Sequence, residues 1–232
     1  MLAAAIATLI ALMLEMASAN GAALALVLAV DVSASVTADS YILQRDGIAR
    51  AFADPRLAEA ISAVPRGIEV LVLEWSGPDK IVVTVDWTRV GDAPSAIGFA
   101  AAVRASRRSS AGITAIGPAL IAAAAAFEHL PEPAAHRIID ISGDGIANFG
   151  LPPAVARDRI VAHGIAINGL AILTEEPWLA DYFRSDVIGG PSAFVVIART
   201  FDDFAEAMLR KLVQEVADAS VSAASSRSAQ MQ

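Results

Sequence analysis

Seven consecutive apolar residues, Leu24 to Val30, run without a break into Asp31-Val32-Ser33-Ala34-Ser35. A strand covered on one face alternates apolar with polar positions, so a run with no polar position must be covered on both faces. Such strands belong to parallel α/β sheets, whose crossover helices supply the two covers. At its carboxyl end the run changes to one carboxylate and two hydroxyls at alternate positions. Ligands of open α/β sheets bind at the carboxyl ends of strands. Three hard oxygen donors there suit a hard cation such as Mg²⁺. The same residues equally suit a turn that caps the next helix, and the pentapeptide alone leaves both readings open.

The rest of the chain repeats the α/β alternation. A helix is expected over Ala38 to Ala53, capped by Thr37 or Asp39. Ile68 to Trp75 and Lys80 to Trp87 read as strands joined by Ser76-Gly77-Pro78-Asp79, a connection short enough to require an antiparallel hairpin. Helices are expected over Ala93 to Ala105 and Gly117 to His129, with the polar loop Ser109 to Ile113 between them. A fourth strand, Arg137 to Ser142, ends in Gly143-Asp144-Gly145. Pro153 to His163 (helix), Ile165 to Leu173 (strand), Pro177 to Phe183 (short helix), Ala193 to Ala198 (strand) and Phe201 to Ala217 (amphipathic helix) complete the pattern. The expected fold is one α/β domain over residues 20–217: a doubly wound, mostly parallel six-stranded sheet with one antiparallel edge strand and helices on both faces. Residues 218–232, rich in Ser and Ala, read as a disordered tail.

Composition removes several functions. The formal net charge of −8 disfavours a nucleic-acid surface. Arg104, Arg107 and Arg108, the one tight basic cluster, read as decoration of a helix end or loop. No cysteine is present, which excludes disulfides, thiolate metal sites and cysteine nucleophiles. His129, His136 and His163 are too scattered for a metal motif. No Walker loop, GxGxxG fingerprint or G-x-S-x-G elbow occurs.

Leu2 to Leu14 has the length of a signal-peptide apolar core, and Ala17-Ser18-Ala19 is a small-residue cleavage site. Residues 1–19 are therefore read as a signal peptide, although no Lys or Arg precedes the apolar stretch. The expected location is periplasmic or secreted, without a stable membrane span after cleavage. An uncleaved N-terminal anchor is the other reading.

Two further segments join the first. Gly112-Ile113-Thr114 offers a hydroxyl before the Gly117 helix, and Asp144 follows the fourth strand between glycines. If strands one and four are neighbours, Asp31 and Asp144 converge at the switch point, and a divalent cation would relieve their repulsion. The pattern Asp-x-Ser-x-Ser, then a loop Thr, then a loop Asp resembles the metal-ion-dependent adhesion site (MIDAS) of the von Willebrand factor A (VWA) domain family. The resemblance covers roughly Ala22 to Ala217, and its metal ligands would be Asp31, Ser33, Ser35, Thr114 and Asp144. One departure is visible: in the family a hydroxyl residue directly precedes the last Asp, whereas here Gly143 intervenes after Ser142. The resemblance implies a binding module of an exported bacterial branch, not an enzyme. Its cofactor would be a divalent cation, Mg²⁺ first and Mn²⁺ or Ca²⁺ next, and its partner a protein supplying an acidic residue to the metal. A Mg²⁺-dependent hydrolase using the same site, with Asp140 or Asp39 as base, is the alternative.

Other polar residues take ordinary readings. Asp140, set among isoleucines, is placed on the wetter face of the fourth strand, with a supporting role behind the metal as the alternative. Asn148 reads as a turn residue rather than one that orients the Asp144 loop. Glu74 and Asp86 read as a solvated or paired strand face.

Overall fold

The structure is a computed structural model and describes residues 21–230. The segment 1–19, read as a signal peptide, lies outside the described residues, as do residues 231 and 232. The strands are β1 (Ala22–Asp31), β2 (Ile68–Trp75), β3 (Ile81–Val90), β4 (Ala134–Gly143), β5 (Ala166–Ile172) and β6 (Val195–Ala198). They form one sheet in the order β3-β2-β1-β4-β5-β6. All pairings are parallel except β2 with β3, the antiparallel hairpin at one edge. The strand order reverses between β1 and β4, so the switch point lies between the two strands that end at Asp31 and Gly143.

Every residue of β1 and of β2 is buried, as an apolar run with no polar period requires. Successive β1 side chains feed two separate cores. Leu24, Leu26 and Leu28 pack with Phe52, Phe99, Phe204 and Leu212 on one face. These belong to helices α1 (Ala38–Ala53), α3 (Ala93–Ala105) and α7 (Phe204–Gln230), which share that face with the short α2 (Pro55–Ser62). Ala25, Val27 and Ala29 pack with Ala119, Leu120, Ile160 and Phe183 on the other. That second face is covered by α4 (Ile116–Ala126), α5 (Pro153–Ala162) and α6 (Leu179–Tyr182) with the π-helical turn Phe183–Val187.

Local chemistry sets the helix starts. Thr37 caps α1 by accepting from Ser40 N at 3.1 Å. Asp54 separates α1 from α2 and caps the latter through Arg56 N, ahead of Pro55 in the first turn. The sequence pattern did not show α2, because a single capping residue parts it from the longer helix. The closing helix also extends past Ala217: α7 continues to Gln230, through the stretch read as a disordered tail. From Ser220 to Gln230 the sequence has neither Gly nor Pro, the two residues least compatible with a helix interior.

Candidate metal centre

Three loops meet above the carboxyl ends of β1, β2 and β4. β1 pairs with β4 so that Val30 lies opposite Ser142, which sets Asp31 beside Gly143 and one residue short of Asp144. Backbone bonds lock the loops together. Ala34 N donates to Gly112 O at 2.7 Å, and Asn148 N donates to Thr114 O at 2.9 Å. Gly112 passes so close to β2's end that a Cβ there would stand 2.3 Å from Ser76 O, so only glycine fits.

The side chains converge within this frame. Asp31 Oδ1 accepts from Ser33 N at 2.7 Å, a turn closed by the carboxylate itself. Ser33 and Ser35 hydroxyls lie 3.3 Å apart. Ser35 Oγ donates to Asp144 Oδ1 at 2.8 Å. Thr114 is buried at the mouth of α4, and its N–H donates to Asn148 Oδ1 at 3.0 Å.

Each carboxylate keeps one oxygen without a hydrogen-bond donor: Asp31 Oδ2 and Asp144 Oδ2 are both buried and unpartnered. Such atoms are costly unless a further charge or donor meets them. Burial pushes the Asp31 carboxyl up to about 7, with Asp144 adding to the rise and the Ser33 bonds and Arg108 opposing it. Asp144 is also raised, first by burial and then by Glu175, while the Ser35 hydroxyl opposes. Two buried carboxylates, both pushed toward the neutral form, and the Ser33 and Ser35 hydroxyls therefore meet in one bonded cluster, with Thr114 on the adjoining loop. That donor set fits a hard divalent cation, which would satisfy both orphan oxygens and remove the mutual repulsion. Among the described residues no group of three or more His, Asp or Glu side chains is placed to hold a metal. Any cation held here would have hydroxyl oxygens as most of its side-chain ligands, and only two carboxylates to neutralise it.

Residues 21–220 match the sequence profile of a family described as "protein of unknown function (DUF1194)". The chain belongs to that family. No curated protein matches this DUF1194 chain by sequence. Among solved structures it is similar to proximal thread matrix protein 1 from the mussel byssus, solved with a zinc-occupied MIDAS motif. The TM-score is 0.59 at 16% identity, covering 83% of this chain and 46% of that one. The pilus adhesin SpaC from Lactobacillus rhamnosus GG gives a TM-score of 0.59 at 14% identity, covering 87% and 31%. The SpRpn10 VWA domain gives 0.55 at 15% identity, covering 78% and 92%. The fold of this DUF1194 protein is thus VWA-like, and the chain spans less than half the length of the mussel and pilus proteins.

Of the five sequence-selected residues, Asp31, Ser33, Ser35 and Asp144 are linked by the bonds above, and Thr114 stands on the neighbouring loop, held through its backbone by Asn148. It corrects three neighbours. Asp140 is not on a wet face: it is 2% exposed, 2.9 Å from Lys211 Nζ of α7, on the side of β4 away from the metal centre. Asn148 is not a plain turn residue, because its side chain and backbone both bridge to Thr114. Arg108 is not decoration: its Nη2 donates to the carbonyls of Val32, Ser33 and Val36, clamping the Asp31 loop. Nothing in the local sequence marks Arg108, since its acceptors are backbone atoms some seventy positions earlier. Gln44, fully buried on α1, is a third support, donating to Asp31 O at 3.1 Å. Glu74 is buried and paired, accepting from Tyr41 Oη at 2.9 Å and Ser109 N at 2.7 Å. Asp86 is solvated.

Proposed function

We propose that this protein is an exported binding module that engages a protein partner through a divalent cation held by Asp31, Ser33, Ser35, Thr114 and Asp144. The observation that carries the reading is the pair of buried, unpartnered oxygens, Asp31 Oδ2 and Asp144 Oδ2, in one hydroxyl-lined frame. Hydroxyls neutralise a cation weakly, so Mg²⁺, or Mn²⁺ or Ca²⁺ in its place, would remain electrophilic toward a carboxylate from the partner. Zinc at the MIDAS motif of the mussel protein supports a divalent cation at this place in the fold.

Binding rather than catalysis is the reading the frame supports. Asp140, one of the two bases a hydrolase would use, is committed to Lys211 on the far side of β4. Asp39 lies in the first turn of α1, outside the bonds that lock the frame. The three histidines sit on β4's first half and at the ends of α4 and α5, toward the amino edge of the sheet. Export rests on Ala17-Ser18-Ala19; the family match starts at residue 21, just beyond that site. Among the described residues no helix is long and apolar enough to cross a membrane.

Two measurements test the proposal. Melting of the purified protein should rise with millimolar Mg²⁺ or Mn²⁺ and fall back with EDTA. A ligand that binds only the folded state at a hundred times its Kd adds about 2.7 kcal/mol. Asp31→Ala should abolish the rise, and a partner captured from the cell envelope should be released by chelator. A wild-type melting curve indifferent to metal would sink the proposal.

A further inference from the structure

Four large apolar side chains stand in solvent on the loops around the metal centre: Ile113 (43% exposed), Ile146 (37%), Phe149 (55%) and Trp178 (48%). They come from three different loops, which lead into α4, α5 and α6, the helices on one face of the sheet. Ile113 directly precedes Thr114. Phe149 directly follows Asn148, which is bonded to Thr114 through both backbone and side chain. Ile146 lies two residues past Asp144, and the next N–H, of Ala147, donates to Tyr182 Oη at 3.2 Å. Tyr182 in turn meets Trp178 edge-to-face, with ring centroids 6.5 Å apart. The other side of the centre, where α1 begins, carries the polar Thr37, Asp39 and Ser40, with Ile42 and Leu43 exposed a turn further along the helix. Glu175, which adds to the raised pKa of Asp144, and Glu176 border the Trp178 side.

We propose that Ile113, Ile146, Phe149 and Trp178 form an apolar half-rim that selects the partner. The partner segment would present one Asp or Glu to the cation, with large apolar side chains beside it and no second acidic residue. Charge complementarity fixes the last feature. The chain carries a formal charge of −8, and Asp39, Glu175 and Glu176 flank the site. One carboxylate is neutralised at the cation, while a run of them would meet repulsion. Apolar neighbours gain from burial against the rim, whereas polar ones gain little there. This inference rests on the cation-dependent reading above and adds the chemistry of the partner.

The test uses fluorescence anisotropy of labelled peptides with one central Glu, flanked by Leu and Phe, by Ser and Gly, or by further Glu. With Mg²⁺ present the apolar-flanked peptide should bind about tenfold or more tighter than the other two, the discrimination expected from burying one large side chain. Phe149→Ser and Trp178→Ser, both on exposed positions, should erase that preference while leaving the metal-induced rise in melting intact. Equal affinities for the three peptides, with the melting rise present, would overturn the half-rim and leave the metal reading standing. Binding that persists in EDTA, with no melting rise, would overturn both. A Mg²⁺-dependent dimer that Phe149→Ser dissociates would place a second copy on the rim and overturn the separate partner.

Discussion

Ser35 Oγ donates to Asp144 Oδ1 at 2.8 Å, joining two residues 109 positions apart in the chain. The bond exists because β1 and β4 are parallel neighbours, so the loops that leave them start side by side. It holds one oxygen of Asp144 and leaves the other, Oδ2, without a donor.

Ser35→Ala removes that donor together with one of the proposed metal ligands. The metal-free protein should lose about 1–3 kcal/mol, the cost of leaving a buried acceptor unsatisfied. Its melting should also respond less to Mg²⁺ than the wild type does. Calorimetry with and without Mg²⁺ checks both; an unchanged metal response would remove Ser35 from the site.

Gly143, which stands where the family pattern has a hydroxyl residue, brings no side chain against Asp31. A Cβ at this position would stand 3.0 Å from Asp31 Oδ2, the same oxygen that lacks a donor. Gly143→Ala should therefore crowd the proposed cation site and weaken Mg²⁺ binding by about tenfold, or ~1.4 kcal/mol, while the domain stays folded. Isothermal titration decides it, and wild-type affinity in the variant would show that Asp31 Oδ2 does not face the metal.

On the other side of the sheet, Lys211 lies 2.9 Å from Asp140 and 2.5 Å from Glu215, all three buried, and Asn168 also donates to Glu215 at 2.7 Å. Above the pKa of Asp140, about 7, Lys211→Met would strand two carboxylates in the core. Loss of one partner from a buried ion pair costs about 3–5 kcal/mol, so urea unfolding should show a drop of that order. A loss below about 1 kcal/mol, the value of an exposed pair, would mean the cluster opens to water.

The same cluster sets a pH dependence. Burial, reinforced by Glu215 and opposed by Lys211, pushes the Asp140 carboxyl up to about 7 from 3.8. Between those values the folded protein holds a proton that the unfolded chain has released. The contribution of Asp140 to stability therefore falls as pH rises from about 4 to about 7 and is level above that. Asp140→Asn cannot titrate, so its stability should decline less steeply across that window, by up to about 1.4 kcal/mol per pH unit. Unfolding curves of both proteins in EDTA measure the difference; parallel pH profiles would show that Asp140 titrates normally.

The sequence by itself determined the strand that founds the sheet, because an apolar run with no polar period admits only a doubly covered strand. It also determined the antiparallel hairpin, since four turn residues cannot carry a crossover, and the donor types at Asp31, Ser33, Ser35, Thr114 and Asp144. These are properties of period, loop length and side-chain chemistry, all local to the chain. The tertiary structure alone decided what depends on partners far off in sequence. Arg108 reads as a surface charge until its three carbonyl acceptors in the Asp31 loop are seen. Asp140 reads as a wet strand position until α7 brings Lys211 against it. Asn148 reads as a turn residue until the loop of Thr114 lies beside it. In each case a polar side chain carries no mark of its partner, because hydrogen bonds and ion pairs act over a few ångströms of space and ignore the distance along the chain.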